Sequence, residues 1–217
     1  DKIEKGRRPN GIYIPRFTNL GGKTDNKDFK RGYGYQGGAT RDNISELVAE
    51  LKYGPALKEA ILKPGEWDVN LLGFGETLPD HTNRMYLDYD KLDQWGLPTI
   101  TFDADFGENE LAMRKDMQEQ AVKMLTAAGF KDVEGYDKEE GRAMGLGIHE
   151  MGTARMGRDP KTSVLNENNQ IHACTNVYVT DGSFMTSAAC HNPSLGYMAF
   201  TARAANHAAE QLKKNNA

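Results

Sequence analysis

Gly147-Ile-His-Glu-Met-Gly-Thr-Ala-Arg-Met-Gly157 opens the stretch on which the reading of this chain turns. A polar turn follows, Asn166-Glu-Asn-Asn-Gln170, and then an apolar strand, Asn176-Val-Tyr-Val-Thr-Asp-Gly-Ser183. Cys190-His-Asn-Pro-Ser-Leu195 closes it and feeds an alanine-rich helix. His149 lies between Gly147 and Gly152, where small neighbours leave room for another molecule. A neutral imidazole is the usual general base near neutral pH and can take the proton of a hydroxyl. Pro193 at a first helical position is pre-organised for the helix, and the free N–H groups beyond it favour negative charge. Farther along the helix, over Ser194 to Lys214, residues Leu195, Met198, Ala199, Ala202, Ala205, Ala209 and Leu212 recur at helical spacing. That stripe predicts a face packed against a core.

Working outward from this stretch, the chain offers a helix and several strands. Asn109 to Ala128 carries Leu111, Met117, Val122, Met124 and Leu125 as a stripe, with an acidic first turn and Gly129 as a stop. The methionines read as core filler. Residues 66–71, 84–89 and 98–103 alternate apolar and polar positions, which predicts three strands of one antiparallel sheet. Two helices precede them, one over 43–51 ended by Gly54-Pro55 and one over 56–62. Residues 11–17 read as an edge strand and 18–41 as a long loop. Gly32-Tyr-Gly-Tyr-Gln-Gly37 within it has the letters G-x-G-x-x-G, but no buried strand precedes it and no helix follows directly, so it is not a dinucleotide turn. The irregular stretch 135–145 marks a boundary between residues 1–146 and 147–217.

Composition narrows the classes. The 217 residues carry a formal charge of −4, which argues against the basic face a nucleic-acid partner needs. No apolar run is long enough to span a membrane. Two cysteines, Cys174 and Cys190, make no disulfide framework. The first residues include neither an apolar signal region nor an initiator Met, so the chain reads as a fragment or processed product, and its compartment stays open between cytoplasm and periplasm. His172-x-Cys174 and Cys190-His191 lack the usual spacing of zinc ligand pairs. Asp181-Gly-Ser183 is not a nucleophile elbow.

The run His149-x-x-Gly-Thr153…Met156-Gly157, the strand ending Asp181-Gly182-Ser183, and Asn192-Pro193 before a helix resemble the C-terminal half of the glucose–methanol–choline (GMC) oxidoreductases. Gly73-Phe-Gly-Glu76…Asn83…Leu87-Asp88…Trp95-Gly-Leu-Pro98 is similar to their sugar- and gluconate-dehydrogenase branch. The resemblance is closest over 147–212 and looser over 67–128. It implies an FAD-dependent enzyme that takes a hydride from the CH–OH group of an alcohol, sugar or sugar acid. His149 would be the base beside the flavin and Asn192 its partner at the substrate hydroxyl. Asp181 and Gly182 would lie along the cofactor's pyrophosphate and ribityl chain, and Asn192, Pro193 and Ser194 at the end of the flavin ring. Gly196 stands where Thr is common in the family. The fingerprint that grips the ADP half of FAD is not in these residues, which implies an N-terminal FAD-binding half as partner. The expected fold is α+β: an antiparallel substrate-side sheet with flanking helices, then a strand–helix segment completing that FAD-binding domain. The rival reading is a catalytically silent binding or interaction domain descended from such an enzyme, or, behind it, a zinc-stabilised domain.

Overall fold

The computed structural model describes residues 11–21, 25–41, 53–62, 67–137 and 144–215. The helix expected over 43–51 and most of the irregular boundary stretch lie outside them. The described residues form an α+β fold of small antiparallel sheets with three α-helices.

A three-stranded sheet stands at one side of the candidate site. Its order is β1 (Gly11–Ile14), β2 (Tyr33–Arg41), β3 (Trp67–Gly75), all antiparallel. β2 corrects the loop expected over 18–41. Glycines dominate the composition there, yet Tyr33 and Tyr35 repeat at the period of two that places both on one face. Their cross-strand partners are Gly75 and Gly73. Those glycines are needed: a Cβ at Gly73 would come 2.8 Å from Met117 Sδ, and one at Gly75 2.8 Å from Met113 Sδ. Side-chain-free strand positions let the helix above approach closely.

That helix, α2 (Glu108–Ala127), starts where Gly107 N donates to Glu110 Oε2 at 3.1 Å. Its inward ridge is Met113, Met117 and Met124. Leu111, expected in the stripe, is exposed, and Met113 fills the core instead. Phe29, Tyr33, Tyr35 and Met113 form the buried cluster, with Ile14, Phe17 and Leu71 against it. Phe17 meets Tyr33 edge-on at 5.5 Å, a preferred aromatic geometry. Both buried hydroxyls are satisfied: Tyr33 donates to Asp116, and Tyr35 to the Met117 carbonyl at 2.6 Å.

A second correction concerns the sheet. β4 (Arg84–Leu92) and β5 (Pro98–Asp103) pair with each other as a hairpin and do not extend β3. β3 takes β2 as its partner instead, a pairing that a loop over 18–41 would have denied it. α1 (Pro55–Leu62) covers the span expected over 56–62 and takes in Pro55 as its first residue.

The C-terminal segment folds around Leu165 and the turn 166–170. Leu165 and Asn169 are fully buried. Asn169 Nδ2 donates to the Val179 carbonyl at 3.0 Å, and the left-handed φ of 62° at this position suits asparagine. A short hairpin, β6 (Gln170–Ile171) and β7 (Cys174–Tyr178), precedes a 3₁₀ turn at Gly182–Phe184. The strand expected to run to Ser183 therefore ends at Tyr178. α3 (Ser194–Asn215) packs by Tyr197, Phe200 and Ala204, with Phe184 and Phe200 centroids 4.8 Å apart. The expected inward stripe points outward: Leu195 is 79% and Met198 69% exposed. Aromatic rings bury more apolar area than alanines, so the aromatic ridge takes the inside.

Candidate active site

The three-stranded sheet has two faces of different kind. Tyr33, Tyr35, Leu71, Gly73 and Gly75 turn toward α2. Strand alternation therefore turns Tyr13, Gln36, Leu72 and Phe74 the other way, with Tyr13 and Leu72 both directly opposite Gln36. Phe74 is opposite Gly34, one diagonal step from Gln36. On this second face the sequence-picked groups assemble.

His149 packs its half-buried ring against Phe74, with centroids 6.2 Å apart. Its turn is set by left-handed residues, Ile148 at φ 63° and Gly152 at φ 94°, and by a Glu150 carboxylate oxygen accepting from Gly147 N at 2.9 Å. Beyond the turn the chain runs beside the 3₁₀ segment, with Ala154 N donating to the Ser183 carbonyl at 3.0 Å and Met156 N to that of Phe184 at 2.9 Å.

Asn192 meets Gln36. Gln36 Nε2 donates to Asn192 Oδ1 at 3.1 Å, and Asn192 Nδ2 donates back to Gln36 Oε1 at 3.4 Å. His191 tilts against Tyr13 at 5.9 Å between centroids. The segment before it is fixed by Ser187 Oγ, which donates to the buried Glu76 carboxylate at 2.6 Å. Arg31 lies 3.6 Å from the same carboxylate. Cys190 beside it is buried, and desolvation raises its thiol pKa, partly countered by Arg16. Thus base candidate, partner candidate and neighbouring histidine all lie over one sheet face.

The groups assigned to FAD by resemblance fall at two places. Asp181 caps the 3₁₀ turn, its Oδ1 accepting from Ser183 N at 2.9 Å. Gly182 is enclosed by its own chain: a Cβ there would stand 2.8 Å from Tyr197 Oη and 3.0 Å from the Glu150 carbonyl. Burial, then the charges of Asp181 and Glu150, raises the Tyr197 pKa. Pro193 is buried just before α3, and Ser194 is exposed. The first helical hydrogen bond runs from Tyr197 N to the Pro193 carbonyl at 3.0 Å, so the N–H groups of Ser194, Leu195 and Gly196 precede the ladder. A Cβ at Gly196 would have nothing within 4 Å. An open first turn with unspent donors fits one end of a flat ring that accumulates negative charge.

The zinc candidates are otherwise engaged. His172 Nε2 lies 3.1 Å from Ser163 Oγ and 3.2 Å from the Gly157 carbonyl, and Cys174 Sγ donates to Asn176. Among the described residues no group of three His, Cys, Asp or Glu is placed to hold an ion, and no helix is long and apolar enough to cross a membrane.

Sequence reasoning missed Tyr13, Gln36, Phe74, Glu76 and Ser187 as parts of this site. The available signal was the alternation Tyr33-Gly-Tyr-Gln36, which as a strand puts Gln36 opposite the tyrosines.

The model of the GMC oxidoreductase family matches residues 79–201. Among curated proteins, the chain is 34% identical over 137 residues to a 2-methyl-1,2-propanediol dehydrogenase of Mycolicibacterium austroafricanum, covering 62% of this chain and 24% of the relative. It is 33% identical over 148 residues to the paromamine 6'-oxidase of Streptomyces fradiae, covering 67% and 27%. It is 28% identical over 161 residues to the fructose dehydrogenase large subunit of Gluconobacter japonicus, covering 74% and 29%. The matched part of the chain therefore spans only 24–29% of the length of these relatives.

Proposed function

Because this chain belongs to the GMC oxidoreductase family, we propose that it is the C-terminal part of a longer FAD-dependent enzyme that oxidises the CH–OH group of an alcohol, sugar or sugar acid. The observation that carries this reading is the assembly of His149, through Phe74, and Asn192, through Gln36, on one face of the β1–β3 sheet. In this reading residues 1–146 form the substrate-side portion and 147–217 the catalytic and flavin-contacting segment.

His149 accepts the substrate hydroxyl proton on an imidazole nitrogen while the hydrogen on the same carbon departs with its electron pair, leaving a carbonyl product. FAD, when bound, supplies the acceptor for that hydride. Asn192 has donor and acceptor capacity left after its pairing with Gln36, and orients the hydroxyl oxygen. Asp181, Gly182, Asn192, Pro193 and Ser194 would hold the cofactor, with the open N–H groups of the first α3 turn stabilising negative charge. The outward α3 stripe led by Leu195 and Met198 gives the N-terminal FAD-binding half a surface to cover, in keeping with an apolar patch of this kind marking an interface.

The test is a substrate panel on the longer protein. Under anaerobic conditions, an alcohol, polyol, sugar or sugar acid should bleach the flavin. A protein that carries flavin and is reduced by none of them would contradict the reading.

A further inference from the structure

We infer that Gln36 is a positioning residue, whose amide fixes the orientation in which Asn192 meets the substrate. The inference rests on the role proposed above for Asn192. It starts from the face of β2. Because Tyr33 and Tyr35 are held in the core by their hydroxyl bonds, strand alternation leaves Gln36 no choice of side. Its nearest neighbours there, Gly34, Gly38, Tyr13 and Leu72, carry no side-chain amide or carboxylate, and the amide of Asn70, one diagonal step away, is engaged with Gly38 N at 2.9 Å. Both ends of the Gln36 amide reach Asn192, one donating at 3.1 Å and one accepting at 3.4 Å.

A reciprocal amide pair does more than anchor. An asparagine side chain turns broadly about its last torsion, and either of its two ends can face a given direction. Pairing donor to acceptor and acceptor to donor stops that rotation. One N–H and one lone pair of Asn192 are then left in fixed directions, which is what orienting a hydroxyl oxygen requires. Asn192 lies in the exposed turn before α3, so its own segment does not supply this constraint, while Gln36 stands on a sheet.

The test is a double-mutant cycle in the full-length, flavin-loaded enzyme, read as the limiting rate of anaerobic flavin reduction and the substrate concentration giving half of it. Gln36→Ala should lower the limiting rate by about tenfold, within the coupling range of contacting residues, with a smaller change in half-saturation. In an Asn192→Ala background the same substitution should change the rate by less than about twofold if it acts through that residue. Combined with His149→Ala, its effect should multiply in full. Thermal stability and flavin content of Gln36→Ala should match the parent, because the side chain supports no core. An equal loss in the presence and absence of Asn192, or no loss at all, overturns the inference while leaving the base and its partner intact. If Asn192→Ala alone proves silent, the role of Asn192 in the proposed reaction falls, and the positioning role of Gln36 with it.

Discussion

Glu76 at the end of β3 and Ser187 ahead of α3 stand 111 residues apart in the chain and share a 2.6 Å hydrogen bond. The carboxylate is buried, so the bond ties the sheet to the segment carrying His191 and Asn192 where little water competes.

Glu76→Ala removes the acceptor of the half-buried Ser187 hydroxyl and should cost about 0.5–1.5 kcal/mol, the usual net contribution of one hydrogen bond. Glu76→Gln keeps an acceptor and should cost less. Denaturant unfolding of the two variants side by side checks the ordering.

Asn169→Ala removes three things at once: the bond to the Val179 carbonyl at 3.0 Å, the acceptor for Arg203 Nη2 at 3.4 Å, and an asparagine suited to a φ of 62°. Asn169→Gly restores only the conformational freedom. Alanine should therefore be the less stable of the two, with each variant below the parent by about 1 kcal/mol or more. Equal midpoints for parent and glycine variant would show that the buried amide contributes nothing.

Alkaline stability follows the core tyrosines. Burial pushes Tyr35 up from 10.0 to about 12, and burial with the Asp116 bond pushes Tyr33 up as well. The sign is fixed by the folded state holding these protons longer than the unfolded chain. The Tyr35 contribution is complete below pH 10 and is lost as pH climbs through about 12, and that of Tyr33 is lost at higher pH still. Tyr35→Phe should unfold at lower denaturant than the parent near neutral pH, because the bond to the Met117 carbonyl is gone. Its stability should fall less steeply between pH 10 and 12. Parallel slopes would contradict the assignment.

The exposed α3 stripe predicts a surface phenotype. Leu195→Ser and Met198→Ser should leave the folding of residues 1–217 within about 0.5 kcal/mol of the parent, as surface changes do. In the longer protein they should lower flavin retention, measured as absorbance per chain. Undiminished flavin content in both would argue that this face is not covered.

The sequence makes the α2 helix and the β4–β5 hairpin legible because their patterns are strong and local. As candidates, His149, Asp181-Gly182 and Asn192-Pro193 stand out in the sequence because small residues and a helix start surround them. β2 was hidden by its glycines, whose purpose appears only in the paired sheet, where a Cβ at Gly34 would come 2.7 Å from the Ile14 carbonyl oxygen. Gln36 was lost with it, since the partner of a strand residue 156 positions from Asn192 has no local signature. The orientation of α3 was misread because alanine spacing fits a buried face as well as an exposed one, and the aromatic ridge of Tyr197 and Phe200 decides between them.

Whether His149 is the base is decided by one comparison: anaerobic single-turnover flavin reduction in the longer protein for His149→Ala and His191→Ala. Both histidines lie over the same sheet face, His149 on Phe74 and His191 on Tyr13, so proximity to the site does not distinguish them. His149→Ala should slow reduction by about 10²–10⁴-fold, the usual contribution of a general base, with flavin content unchanged and His191→Ala near the parent rate. Reduction of the His149→Ala enzyme at the parent rate, or a His191→Ala enzyme slower than His149→Ala, would contradict the account.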